Sequence, residues 1–256
     1  MKHDFEDVGI KRNAPKLLED ALRRKRTRCM ITTGSMCDPY LPIEKKEQLT
    51  RRCLELIDRY GFGFTVITKS DLVLRDLDLL KQINKKTKCV VQMTLTTLDE
   101  VLCRVIEPNV CSTARRVEVL NTLRDEGIPT IVWISPILPF LNDTEENLRG
   151  ILHDCFEAEV KGILCFGIGV TLREGNREYF YKKLDDHFPG MKQRYIQAFG
   201  NRYQCNSPNH ALLMELFRDE CKRNGVMYSY DSVFQYLSEF EDQGACEQLS
   251  FFERRE

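Results

Sequence analysis

Five short apolar runs constrain this chain more than any other feature: RCMITTG (28–34), GFTVITK (63–69), KCVVQMTLT (88–96), TIVWISPIL (130–138) and KGILCFGIGV (161–170). Each is rich in β-branched or aromatic residues, and the apolar positions are near-continuous. A strand with one wet face alternates, whereas a strand covered on both faces does not. The runs therefore predict strands buried on both sides. Helical patterns separate them. PIEKKEQLTRRCLELIDRYG sets Leu49, Cys53, Leu56 and Ile57 on one stripe and stops at Gly61, a natural helix C-terminus because glycine enters the left-handed region freely. TLDEVLCRVIEP is expected to open on Thr97 and Glu100, and NDTEENLRGILHDCFEAEV on Asp143 and Glu146, each pair in capping-box spacing. STARRVEVLNTLRDEGIP ends on Gly127 and Pro129, a stop before the next strand.

Strand and helix alternate through these segments, which means repeated βαβ units and a parallel sheet. The pattern suits an α/β barrel or an open doubly wound sheet. No G-x-G-x-x-G follows the first strand, so a dinucleotide site is disfavoured. Beyond residue 172 helices take over, at 173–186, 190–199 and 207–225, the last opened by Ser207 and Pro208 and closed by Gly225. The expected division is 1–172 for the α/β part, 173–245 for a helical extension and 246–256 for a tail.

Charge and cysteine usage narrow the function classes. Lysine and arginine number 38 against 39 acidic residues, a net charge of −1. No global field draws such a chain onto nucleic acid, although a local basic face is compatible with it. No apolar run reaches the ~18 residues of a membrane helix. The N-terminus lacks the apolar stretch of a signal peptide. Eleven widely spaced cysteines fit reduced thiols in a cytoplasm. The closest pairs, Cys29/Cys37 and Cys103/Cys111, spell no C-x-x-C, so no local zinc or iron–sulfur ligand set is written in the chain.

Ligands of parallel α/β folds sit at the C-terminal ends of the strands. Those ends read TGSMCD, TKSD, MTLTT, SPILP and GIGVTLR, a small, hydroxyl-rich set with one lysine. Lys69, between Thr68 and Ser70, is a point charge suited to a carboxylate or phosphate, and equally reads as a solvated loop lysine. Ser35, Thr94 and Ser135 both donate and accept hydrogen bonds, and each alone also reads as strand-end capping. No Ser-His-Asp set and no opposed carboxylates are visible.

Several of these segments, read in order, resemble a known family: KRNAP (11–15), CDPYLPIEKKEQLTRRCLELIDRYGF, ITKSDLVLRDLDLLKQI and MTLTTLDEVLCRVIEPNVCSTARRVEVLNTLRDEGIPTIVWISPILPFLND. The chain is similar, from about Lys11 to Phe252, to radical SAM proteins of the spore photoproduct lyase-like, or DNA repair photolyase-like, group. The resemblance implies a partial (β/α)6 TIM-like barrel, and a [4Fe–4S] cluster held by C-x-x-x-C-x-x-C. It implies S-adenosylmethionine cleaved reductively to a 5′-deoxyadenosyl radical. It implies that Ser35, Cys37 and Asp38 face the cofactor's amino-acid part, and that Lys69 pairs with its carboxylate. Thr94 would reach the ribose or carboxylate, and the backbone of Ser135, Pro136 and Ile137 would lie along the adenine. Cys37 stands where the family more often has threonine. It is a weak candidate hydrogen donor, with a plain buried cysteine as the alternative.

The resemblance places the cysteine triad and the first barrel strand upstream of Met1. The expectation is a barrel missing its first strand, with a helical C-terminal extension, truncated and inactive as it stands. A sheet edge left open there would invite pairing with another chain. In the tail, EQLSFF is similar to the bacterial sliding-clamp-binding peptide, through Gln248, Leu249, Ser250, Phe251 and Phe252; it reads at least as well as Leu249, Phe251 and Phe252 strapping the tail onto this protein's own core. The expected partners are therefore a nucleic-acid substrate and a sliding clamp. The alternatives are a non-catalytic SAM- or nucleotide-binding module, or a clamp-associated interaction protein.

Overall fold

The computed structural model describes residues 8–242. The apolar runs form β1 (Met30–Thr33), β2 (Gly63–Thr68), β3 (Cys89–Thr94), β4 (Thr130–Trp133) and β5 (Gly162–Leu164). They make one sheet in the order β1-β2-β3-β4-β5. Pairing is parallel where β1 meets β2 (Thr32 opposite Thr65), β3 meets β4 (Thr94 opposite Trp133) and β4 meets β5 (Val132 opposite Ile163). Every residue of β3 and β5 is buried, as near-continuous apolar runs require. The fold is the α/β arrangement of a partial TIM-like barrel. No described helix is long and apolar enough to cross a membrane.

Two compact units divide the described chain: 8–68, 72–90 and 237–242 in one, and 69–71 and 91–236 in the other. The first holds α1 (Ala14–Arg24), α2 (Glu44–Glu47), α3 (Leu49–Tyr60) and α4 (Leu77–Lys86). Helix α3 ends on Gly61 at φ 67°, as its sequence predicts. Its buried face is Thr50, Leu54, Leu56 and Ile57, so Leu49 and Cys53 stand off the predicted stripe. The reason is the start of the helix. Gln48 turns left-handed at φ 49° and offers no side-chain cap. Instead the buried Glu44 carboxylate accepts from the amides of Leu49 (2.9 Å) and Thr50 (2.9 Å). Arg75 pairs with Glu44 at 3.0 Å and with Asp76 at 2.7 Å, and Arg51 joins Asp76 at 3.0 Å. The buried carboxylates are thus compensated in the way burial of charge demands.

The second unit holds α5 (Glu100–Ile106), α6 (Thr113–Asp125), α7 (Glu145–Glu157), β6 (Gly169–Thr171), α8 (Asn176–His187), α9 (Met191–Phe199), β7 (Gln204–Asn206), α10 (His210–Arg223) and the start of α11 (Tyr230–Ser238). Its helices start later than the capping boxes predict. Helix α5 is capped by Asp99, which accepts from Val101 and Leu102, while the Thr97 hydroxyl accepts from the Asp99 amide (3.2 Å). Helix α7 is capped by Thr144. Asp143 is drawn away to Ser207, whose hydroxyl donates to it at 2.5 Å. Ser207 accepts from the Asn209 amide (2.9 Å), so α10 begins beyond it. The run 161–170 is two strands, broken at Gly167, whose φ of 135° suits glycine. The extension also contains β7, which pairs antiparallel with β6 and which its helical pattern does not announce. Leu172, Leu184, Tyr195, Phe199 and Cys205 form its core.

Candidate functional site

In the first unit the segment after β1 turns on Gly34 at φ 97°, where a Cβ would collide with the Ile67 carbonyl. That close approach seats residues 34–38 against the end of β2. Asp38 then accepts from the Thr68 hydroxyl at 2.8 and 2.9 Å and from the Tyr40 amide at 2.8 Å. Its carboxylate braces this loop. Ser35 and Cys37 are exposed, which corrects the reading of Cys37 as a buried thiol.

In the second unit Lys69 follows β2 directly. Its ammonium donates to Glu107 Oε1 at 2.5 Å, and Glu107 Oε2 pairs with Arg116 at 2.7 Å. The Lys69 side chain is 31% exposed, Glu107 9% and Arg116 0%, so the charge reaches solvent at Lys69. Burial pushes the Glu107 carboxyl up, but the Lys69 and Arg116 charges outweigh it and hold it below the ordinary value. Arg116 also donates from Nη1 to the Thr94 carbonyl (3.0 Å) and from Nε to the Cys111 carbonyl (3.0 Å). The Cys111 thiol donates to the Lys69 carbonyl at 3.0 Å. Lys69 and Thr94, picked out separately in the sequence, are therefore tied into one network. Its hub, Glu107 and Arg116, escaped sequence reasoning. Arg116 had a signal: it shares the buried face of α6 with Val119, Leu120 and Leu123, where a charge needs a partner.

A second clamp fixes the neighbouring strand ends. Asn147 and Asn142 both donate to the Thr96 carbonyl (3.1 and 2.8 Å). Asn147 accepts from the Leu98 amide (2.9 Å) and Asn142 from the Leu138 amide (2.6 Å). The segments after β3 and β4 are thereby held at one end of this part of the sheet. Ser135 is half-buried, the Ser135–Pro136 bond is cis, Pro136 is exposed, and Ile137 is 2% exposed. Ile137, backbone and side chain together, is thus buried. Beside this end the Trp133 indole donates to Gln92 (2.7 Å), and Phe166 stacks on Tyr230 at 4.8 Å. Gln248, Leu249, Ser250, Phe251 and Phe252 lie outside the described residues.

The fold has counterparts. Spore photoproduct lyase complexed with dinucleoside spore photoproduct superposes with a TM-score of 0.58 at 12% identity, covering 87% of this chain and 67% of that one. An uncharacterized protein of Methanocaldococcus jannaschii is 39% identical over 138 residues, 54% of this chain and 50% of the relative. An uncharacterized protein of Mycobacterium tuberculosis is 27% identical over 198 residues, 77% of this chain and 58% of the relative. The chain spans about half the length of the curated relatives it matches. The family model described as the radical SAM superfamily matches residues 5–155, more than half of the sequence, and the chain belongs to that superfamily.

Proposed function

We propose that this chain is the S-adenosylmethionine-binding α/β part of a radical SAM enzyme of the spore photoproduct lyase-like group, one that cleaves S-adenosylmethionine reductively and acts on nucleic acid. The observation that carries the reading is Lys69. It stands at the end of a parallel strand, partly exposed, with its ammonium held by a buried carboxylate. A cation so placed, tied through Glu107 and Arg116 to the Thr94 carbonyl, fits the carboxylate of the methionyl part. The backbone of Ser135, Pro136 and Ile137 keeps, as a proposal, the adenine-facing role that the resemblance gives it. Ser35, Cys37 and Asp38 keep, as proposals, the amino-acid-facing roles that the resemblance gives them.

The family's iron–sulfur cluster finds no such fit. No group of three or more His, Cys, Asp or Glu among the described residues is arranged to hold a metal ion. The proposal for these residues is therefore confined to binding and orienting S-adenosylmethionine. The nucleic-acid assignment draws on the likeness to spore photoproduct lyase, whose dinucleoside complex shares this fold.

Titration calorimetry with S-adenosylmethionine tests the first part. Binding is expected, weakened about tenfold in Lys69→Ala, the scale of one charge-assisted hydrogen bond. No heat at ~1 mM ligand, about 4 kcal/mol of binding free energy, would sink it. For the second part, a labelled oligothymidine is expected to bind with an affinity that falls as salt rises. A flat anisotropy trace to ~100 μM protein removes the substrate class.

A further inference from the structure

We infer that Glu107 and Arg116 are positioning residues for the carboxylate-binding site, acting on a ligand only through Lys69; the inference rests on the reading of Lys69 given above. Lysine carries a compact charge on a flexible four-carbon stem, and fixing that stem costs rotamer entropy. Glu107 meets that cost before any ligand arrives, because Lys69 is already held at 2.5 Å. Glu107 is itself fixed by Arg116 at 2.7 Å, and Arg116 is fully buried. The guanidinium reaches the Thr94 carbonyl and the Cys111 carbonyl, both at 3.0 Å. One rigid fork thus joins the residues after β2, the end of β3 and the start of α6.

The charges explain why the device suits an anion. Within this trio two cations face one carboxylate, and the buried Arg116 is matched by Glu107. An ammonium carries three N–H donors, and one of its partners is Glu107. A ligand carboxylate meeting Lys69 finds its cation oriented in advance, the condition under which preorganisation raises affinity. A ligand lacking the carboxylate gains nothing from the arrangement.

The test is a double-mutant cycle on the full chain, read by calorimetry with two probes: S-adenosylmethionine, and 5′-methylthioadenosine, which lacks the amino-acid part. Glu107→Ala is expected to weaken S-adenosylmethionine about fivefold and to leave 5′-methylthioadenosine unchanged. Combined with Lys69→Ala, it is expected to lose no more than Lys69→Ala alone, because a residue acting through another contributes nothing once that other is gone. Unchanged or tighter binding of S-adenosylmethionine by Glu107→Ala overturns the inference, as do additive losses. If Lys69→Ala binds S-adenosylmethionine as the parent does, the earlier reading of Lys69 fails, and that outcome is distinct from failure of the positioning role alone. Should Glu107→Ala not fold, judged by near-UV circular dichroism, Glu107→Gln serves in its place: it keeps the size and one acceptor, and the same non-additivity decides.

Discussion

At the scale of single residues, two positions carry more than their side-chain types suggest. Gly34 is left-handed, and a Cβ there would collide with the Ile67 carbonyl. Gly34→Ala is expected to cost about 1–3 kcal/mol from backbone strain, with the steric clash added, seen as a lower urea midpoint; an unchanged midpoint would mean the loop lies elsewhere. The glycine was legible in TGSMCD, but its reason was not, since the colliding carbonyl lies thirty-three positions along the chain. Arg116 is the converse case. Its place on an apolar stripe was readable, whereas its partners Glu107 and Thr94 meet it only in three dimensions. The exposed Cys37 and the buried Cys155 are identical in type, and burial, with the neighbouring Cys221 and Asp154 adding to it, pushes the Cys155 thiol well up. Native-state thiol labelling is expected to modify Cys37 within minutes and Cys155 only with unfolding; equal rates would contradict the burial.

At the scale of elements, helix starts show how local chemistry is outbid by its surroundings. Ser112 caps α6 by accepting from the Arg115 amide at 3.2 Å, and Thr144 caps α7 by accepting from the Asn147 amide at 3.2 Å. Ser112→Ala is expected to lower stability by about 1 kcal/mol and Asp143→Ala to disturb the contact with Ser207 while leaving α7 capped. Helical circular dichroism with urea titration distinguishes the two; loss of α7 in Asp143→Ala would return the cap to Asp143. Capping-box spacing marked α5 within two residues and α7 within one. It did not choose the capping residue, because Asp143 had a competing donor in Ser207 that no local window contains. The strands behaved otherwise. All five runs supply a strand to one sheet, because unbroken β-branched stretches have few other ways to be buried, although β1 leaves Thr32 exposed and the last run also supplies β6, which pairs antiparallel.

At the scale of the whole molecule, acid stability should report the buried network. Glu107 titrates below its ordinary value, so its folded form binds its proton less readily than the unfolded chain does. Its contribution is complete above the unfolded value, about 4.3, and is lost as pH falls through the lower folded value. The parent protein is expected to lose more stability between about pH 5 and pH 3 than Glu107→Gln, measured by urea midpoints across that range; parallel slopes would show that Glu107 is not held in its charged form. The sequence alone determined the α/β class, the parallel strands and the hydroxyl-rich strand ends with Lys69 among them, because period, burial pattern and chain order are local properties. Only the tertiary structure decided that Lys69 is held by Glu107, that Arg116 ties it to Thr94, and that β7 of the extension pairs antiparallel with β6. Those contacts join residues tens of positions apart, and only packing brings such residues within the few ångströms over which ion pairs and hydrogen bonds act.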